Sequence, residues 1–282
     1  MSSLTPRLDR VTRTFWRTTG RPVDLSGEHA WLDAPVHDGA VIGDAWLTSA
    51  AEGWGGSVRE NVQGAGLLPD LTALDGPGFR ASDLHPDVRD FYEHTSGWRM
   101  EVWTQWTAAF QPGGELIARC FGRRVQQLAL PVRPLDVAHG MNSRIAVITG
   151  ADDRQRAAGW IRTLRATGEY VYSGCYAERT LPGADRPSVH VTFPLESGNV
   201  QVFLRPTALS DGSLRLDSPP GPFGGDGAYV LVTDHGRDHA ARAPIHERFH
   251  VYVDGEGALR TDHELRMWAA TVVRLHYKLT RI

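Results

Sequence analysis

The chain has 282 residues, of which 41% are hydrophobic, with 30 basic and 33 acidic side chains and a net charge of −3. That length and apolar fraction support a sizeable buried core and argue against a disordered chain. The near balance of charge leaves no electrostatic footprint for nucleic acid, so no nucleic-acid partner is expected.

Only two cysteines occur, Cys120 and Cys175. A disulfide framework is not expected, and a reducing cytoplasm fits. The opening MSSLTPRLDRVTRTFW has no apolar signal core, and no stretch of 18 apolar residues suggests a membrane-spanning helix. Nine tryptophans supply large aromatic surfaces for a core, a pocket or both.

Residues 1–84 read as an irregular segment. A short helix is expected from Thr5 to Trp16, followed by Gly and Pro punctuation in GDAWLTSAAEGWGGSVRENVQGAG and LDGPGF. This stretch is too apolar for a linker, so it is expected to wrap the core and to cover a cavity mouth. Residues 85–167 read as mainly helical. Pro86 sits near a first turn, Val88, Phe91 and Tyr92 follow at helical spacing, and Val102, Trp103, Trp106, Ala109 and Phe110 continue it. Leu116, Ile117, Cys120 and Phe121 resume the pattern up to Leu130-Pro131. A further helix is expected over 153–166, with Trp160, Ile161 and Leu164 inward and Gly168 as its C-cap.

From 168 to 282 the period becomes two. YVYSGCYAERT, SVHVTFPL, NVQVFLRP, SLRLDS, AYVLVTD, ERFHVYVD and LRTDHELRMW alternate, VVRLHYKLTR follows, and turn residues separate them. The fold class expected is α+β: an irregular and helical N-terminal part on a large antiparallel, curled or barrel-like sheet of about seven or eight strands. The three parts are expected to form one compact unit.

Residues 246–250 spell HERFH, the H-E-x-x-H pattern of zinc peptidases. A zincin needs that motif on a helix, where the two imidazoles lie roughly 6 Å apart along one face. Here Pro244 precedes it and HVYVDGEGALRTD alternates after it. On a strand the two histidines stand roughly 13 Å apart, too far for one ion. No metal site is expected.

The strand reading sets His246, Arg248, His250 and Tyr252 on one face and Glu247, Phe249, Val251 and Val253 on the other. A four-residue DGEG loop places Val253 opposite Ala258 and Arg248 opposite His263. His246, Arg248, His250, Thr261 and His263 then share a surface; a two-residue Asp-Gly turn shifts that register. Such a face is either ordinary solvated sheet or a polar patch inside a barrel. In the second case His250 and His263 are the candidate proton carriers, Glu247 or Asp262 tunes them, and Tyr252 orients an oxygen.

Ligand contacts are sought among aromatic residues and one arginine. Tyr170 and Tyr172 are read as sharing a strand face, and Arg205 ends the apolar run VFLRP. Trp103 and Trp106 stand with Trp98 on the expected helix, as core or as the wall of a pocket. The plain alternatives are rim tyrosines, an arginine reaching water and core tryptophans. No phosphate loop, dinucleotide fingerprint, nucleophile elbow or EF-hand loop is present, so no cofactor is expected.

The stretches GLLPDLTALDGPGF, HPDVRDFYEHTSGWRMEVWTQW, RRVQQLALPVRPLD, TGEYVYSGCY, VHVTFPLESGNVQVFLRP and HERFHVYVD resemble a group of actinobacterial proteins. The second half is also similar to the soluble C-terminal region of YndJ-like bacterial membrane proteins. The resemblance covers about two thirds of the chain and carries no catalytic residues. A membrane role is not expected, since this chain lacks the membrane portion.

The function expected is a cofactor-independent acid–base enzyme for a bulky apolar small molecule. By analogy with small ring-closing enzymes of actinobacterial polyketide pathways, a cyclase of secondary metabolism fits. The alternative is a non-catalytic protein that binds a lipid or another hydrophobic ligand.

Overall fold

The computed structural model describes residues 14–37, 39, 42–110 and 139–282. Most of the helix expected at Thr5 to Trp16, and the expectations on 111–130 with Cys120, lie outside the described residues. Residues 14–19 are helical.

Fourteen strands dominate the described residues, where about seven or eight were expected. They are β1 (Arg21–Val23), β2 (Val58–Glu60), β3 (Trp98–Trp106), β4 (Met141–Thr149), β5 (Gln155–Leu164), β6 (Tyr170–Arg179) and β7 (Ser188–Leu195). They continue as β8 (Gly198–Ala208), β9 (Leu214–Asp217), β10 (Gly227–Asp234), β11 (Arg237–Ala243), β12 (Ile245–Val253), β13 (Leu259–Met267) and β14 (Ala270–Arg281). Besides the helical residues 14–19, the described residues hold α1 (Trp46–Gly53) and α2 (Pro86–Glu93).

All strands belong to one antiparallel sheet in the order β2-β4-β5-β6-β7-β8-β9-β12-β13-β14-β3. The path begins at β2 and ends at β3, so among the described residues the sheet does not close into a barrel. It forks at β8. Gly198–Phe203 pair with β10 along the edge where Arg205–Ala208 pair with β9. The branch continues from β10 to β11 and β1. Two wings result, one from β4 to β8 and one from β9 through β12–β14 to β3. Their inner faces share a single core that includes Ile145, Ala158, Val171, Val189 and Val202 from one wing and Val251, Leu259, Val273 and Leu275 from the other.

The residues between the strands cover two different surfaces. Residues 65–92, with α2, belong to the core between the wings, where Leu67, Leu68, Leu71, Leu74, Phe79, Phe91 and Tyr92 are buried. Helix α1 packs on the outer face of β4–β6, with Trp46, Leu47, Ala50 and Ala51 against Ala146, Ala157, Ile161 and Cys175. Small residues permit this approach. A Cβ on Gly159 would lie 2.4 Å from the Leu47 side chain.

Two expected helices are strands. Residues 98–106 form β3, with Trp98, Met100 and Val102 buried and Arg99, Glu101 and Trp103 exposed. Residues 155–164 form β5, with Trp160 on the inner face and Ile161 on the outer. Both faces of β5 are covered, so the polar half of the alternation is missing and the run reads as helical.

A buried polar network fastens the N-terminal segment to the outer face of β7 and β8. His190 Nε2 donates to Gln201 Oε1 at 2.8 Å, and its ring stacks on Phe203 with centroids 4.3 Å apart. Gln201 Nε2 donates to the Leu32 carbonyl at 2.7 Å and to Asn199 Oδ1 at 2.8 Å. Asn199 Nδ2 reaches the Ala34 and Pro35 carbonyls at 3.3 and 3.2 Å. Burial, with the positive field of Arg179, lowers the His190 pKa from 6.5 to about 3. The unfolded chain protonates this ring near 6.5, whereas the folded chain resists until about 3. Its contribution is therefore fully present above the unfolded value and is lost as pH falls through that window, by on the order of a few kcal/mol. We expect His190→Gln to flatten the loss of stability between pH 6.5 and 3, measured as urea midpoints of both proteins at each pH; parallel acid limbs would show that His190 carries none of the slope.

Candidate functional site

The two wings and the 65–92 segment enclose a cavity of about 100 Å³. Its wall is mostly apolar, with Val191, Phe193, Val202, Leu204, Phe249 and Leu265 among the lining residues. Polar groups converge on it from both wings: Arg162, Tyr172 and Tyr176 from β5 and β6, and Glu247, Thr261, His263 and Tyr277 from β12–β14. An apolar enclosure with a few placed polar groups is the usual form of a small-molecule site.

The register of the β12–β13 hairpin builds the acidic side of this site. Val253 lies opposite Leu259, so the loop holds five residues, 254–258. Asp254 closes it by accepting from the backbone N–H groups of Glu256 and Ala258, both at 2.9 Å. That register differs from both turn lengths considered from sequence. It brings His263 opposite Phe249 instead of Arg248. Since a shift of one residue reverses a strand's faces, His263 turns inward beside Glu247 and away from His250.

Inside the cavity His263 Nε2 lies 2.9 Å from Glu247 Oε2, and the imidazole stacks on Phe249 with centroids 3.8 Å apart. His263 is 9% exposed. A carboxylate only accepts, so the shared hydrogen sits on Nε2, and the neutral form of the ring presents Nδ1 as an acceptor. The bond and the stack fix both the ring orientation and the tautomer.

The opposite wall carries an aromatic cluster. Tyr172 and Tyr176 hydroxyls lie 3.1 Å apart, with Tyr172 the donor. The residue between them on the inner face is Gly174, and the Tyr172 ring lies across it. A Cβ there would meet Tyr172 ring atoms at 2.9 Å. The spacing Tyr-x-Gly-x-Tyr thus lets two strand tyrosines, normally too distant, share one hydrogen bond. Burial raises both phenols well above their ordinary value, and each raises or is tuned by the other. They remain neutral donors at physiological pH, and the Tyr176 proton is free of the pair.

Arg162 stands among these rings. It is 4% exposed, and its Cζ lies 5.2, 5.4 and 5.5 Å from the ring centroids of Trp160, Tyr172 and Tyr277. Trp160 is itself fixed by an Nε1 bond to Ser143 Oγ at 2.8 Å. The rings stabilise the cation through their π faces.

Of the residues singled out from sequence, Glu247, His263 and Tyr172 meet in this cavity. The others do not. His250 lies on the outer face of β12, bonded to Ser213 Oγ at 2.9 Å and stacked on Tyr252. Asp262 faces outward too and accepts from His276 Nδ1 at 2.7 Å. Trp103 is 49% exposed and lines an open outer groove with His250, Asp262 and His276. Trp106 packs at the edge of the core, outside the cavity lining. Arg205 is exposed and pairs with Asp226 at 2.8 Å. Tyr170 and Tyr172 do not share a face. A β-bulge sets Tyr170 opposite Thr163 and Tyr172 opposite Arg162, so Val171 is extra and Tyr170 turns out toward α1. Cys175 is on the same outer side, its thiol pushed up to about 12 by burial, and takes no part in the cavity.

Sequence reading missed Arg162, Trp160, Tyr176 and Tyr277 as site residues. Tyr277 was legible, as the aromatic member of an inward series with Val273, Leu275 and Leu279. Arg162 was hidden by the helical reading of β5. No family model, curated protein or solved structure matches the chain.

Gly174→Ala is expected to push the Tyr172 ring off the strand, break the Tyr172–Tyr176 bond and cost ~1–3 kcal/mol through overpacking. Urea midpoints and near-ultraviolet circular dichroism would register both effects. Unchanged values for both would mean that Tyr172 has room to settle elsewhere.

Proposed function

We propose that the chain is an acid–base enzyme acting on a small molecule enclosed between the two wings, with His263 as proton carrier and Glu247 as its orienting partner. One observation carries this reading: a histidine held by a carboxylate at 2.9 Å on one wall of an apolar cavity, facing neutral phenol donors and a guanidinium on the other. A base oriented by a second group and set across from hydrogen-bond donors is what proton transfer at carbon or oxygen requires.

Histidine changes charge near neutrality, so it both takes and returns a proton in one cycle. In an isomerisation, His263 Nδ1 removes a proton from the substrate, the imidazolium is stabilised by Glu247, and the same proton returns at another atom. In a ring closure, the proton leaves the attacking hydroxyl and is returned to the carbonyl oxygen that gains charge. Tyr176 donates a hydrogen bond to that oxygen throughout. Both are proton relocations within a held substrate, and no cofactor enters either scheme.

The size of the cavity shapes the substrate. A dry apolar cavity of about 150 Å³ takes benzene; this one measures about 100 Å³. A small molecule fits as the site stands, in place of the bulky polyketide suggested by analogy. No described helix is long and apolar enough to cross a membrane.

The test is incubation of the protein with a soluble metabolite extract in D₂O, followed by mass spectrometry. A metabolite should gain deuterium or change retention time with the native protein. His263→Gln and Glu247→Gln should each lower that rate by about a hundredfold or more. Ligand carried through purification, seen by native mass spectrometry, with no metabolite altered would replace the enzyme reading with a binding protein.

A further inference from the structure

We infer that the cavity is selective for a small carboxylate, seated on Arg162 with its short hydrocarbon part against the apolar wall. This rests on the reading of the cavity as a substrate site, and names the class of molecule that occupies it.

The first ground is the state of the guanidinium. Arg162 makes no ion pair among the described residues; it interacts with the Tyr277 hydroxyl, and its buried Nε has no hydrogen-bond partner. Nη2, on the same edge as the Nε hydrogen, has the Met141 thioether at 3.9 Å. Sulfur is a weak acceptor, and a methionine side chain moves aside at little cost. The Nε and Nη2 edge is the fork that binds a carboxylate through two parallel bonds. The aromatic rings cover the faces of the cation, and Met141 closes its edge, so an anion reaches the fork once that side chain moves aside.

The second ground is charge. The carboxylate lining the cavity, Glu247, is engaged with His263. An incoming anion therefore has Arg162 as its counter-charge and the carboxylate–imidazole pair as the reacting group. Such seating brings the carbon chain of the acid between the guanidinium on one wing and the imidazole on the other.

The third ground is size and polarity. About 100 Å³ bounded by Val191, Phe193, Leu204 and Phe249 suits an acid of no more than about six heavy atoms. A phosphate dianion is poorly matched, since one guanidinium faces it and the other acidic or basic lining groups include the carboxylate Glu247.

The test is direct binding to the native protein by calorimetry, using butyrate, butyramide, butylammonium and inorganic phosphate as probes. Butyrate is expected to bind at least tenfold more tightly than butyramide, with no binding of butylammonium. Arg162→Met should abolish that preference, and Arg162→Lys should keep part of it by retaining charge without the fork. Removal of an unpaired buried charge should leave the ligand-free Arg162→Met protein at least as stable as the native one. Equal binding of butyrate and butyramide, or tighter binding of phosphate, overturns the inference on the native protein alone, whatever the variants do. The two readings separate cleanly. Butyrate binding that survives His263→Gln with no metabolite altered keeps the carboxylate site and removes the chemistry. Deuterium entering neutral metabolites alone keeps the chemistry and removes the carboxylate.

Discussion

A guanidinium stays charged at any pH a protein tolerates, so a buried arginine must be accommodated as a full cation. Holding one away from water costs on the order of several kcal/mol before its surroundings respond. Around Arg162 the response is aromatic: Trp160, Tyr172 and Tyr277 supply π faces from both wings. That the interior surrounds a cation with rings, and places a carboxylate–imidazole pair on the far wall, is why this space reads as a site and not as a packing defect.

The fork at β8 makes that arrangement possible. One strand hydrogen-bonds to β7 on one edge and successively to β10 and β9 on the other, so the sheet departs in two directions from a shared element. Residues from β5 and β6 then face residues from β12–β14 across a few side chains. The 65–92 segment fills the rest of the gap and contributes Leu67, Phe91 and Tyr92 to the cavity wall.

The later strands were legible in sequence because most keep clear alternation and are divided by turn residues; β12 and β13 are examples. Strand β3 also alternates openly, in Trp98, Met100 and Val102 against Arg99, Glu101 and Trp103, yet its tryptophans fall at spacings that also fit a helix. Strand β5 was hidden for a different reason: α1 covers one face and the core the other, so apolar residues point both ways. The site was half legible. Glu247, His263 and Tyr172 follow from alternation, but which histidine joins Glu247 depends on the fifth residue of a loop, and DGEG does not announce it. Arg162 could not be assigned to the interior while β5 was read as a helix, and the bulge that separates Tyr170 from Tyr172 leaves no mark in their spacing.

The cavity draws its wall from residues as far apart in the chain as Leu67 and Tyr277. Contacts between such distant positions form slowly, because long loops must close before any contact rewards them. Until β14 joins the sheet, Arg162 lacks the ring of Tyr277 and the interior is open to water. The site is therefore complete only when both wings are in place, and a partly assembled chain exposes both a charged interior and unpaired strand edges. A ligand that fits only the finished cavity would draw late intermediates forward by mass action. The concentration of such a ligand would then help to set the fraction of chains that are folded.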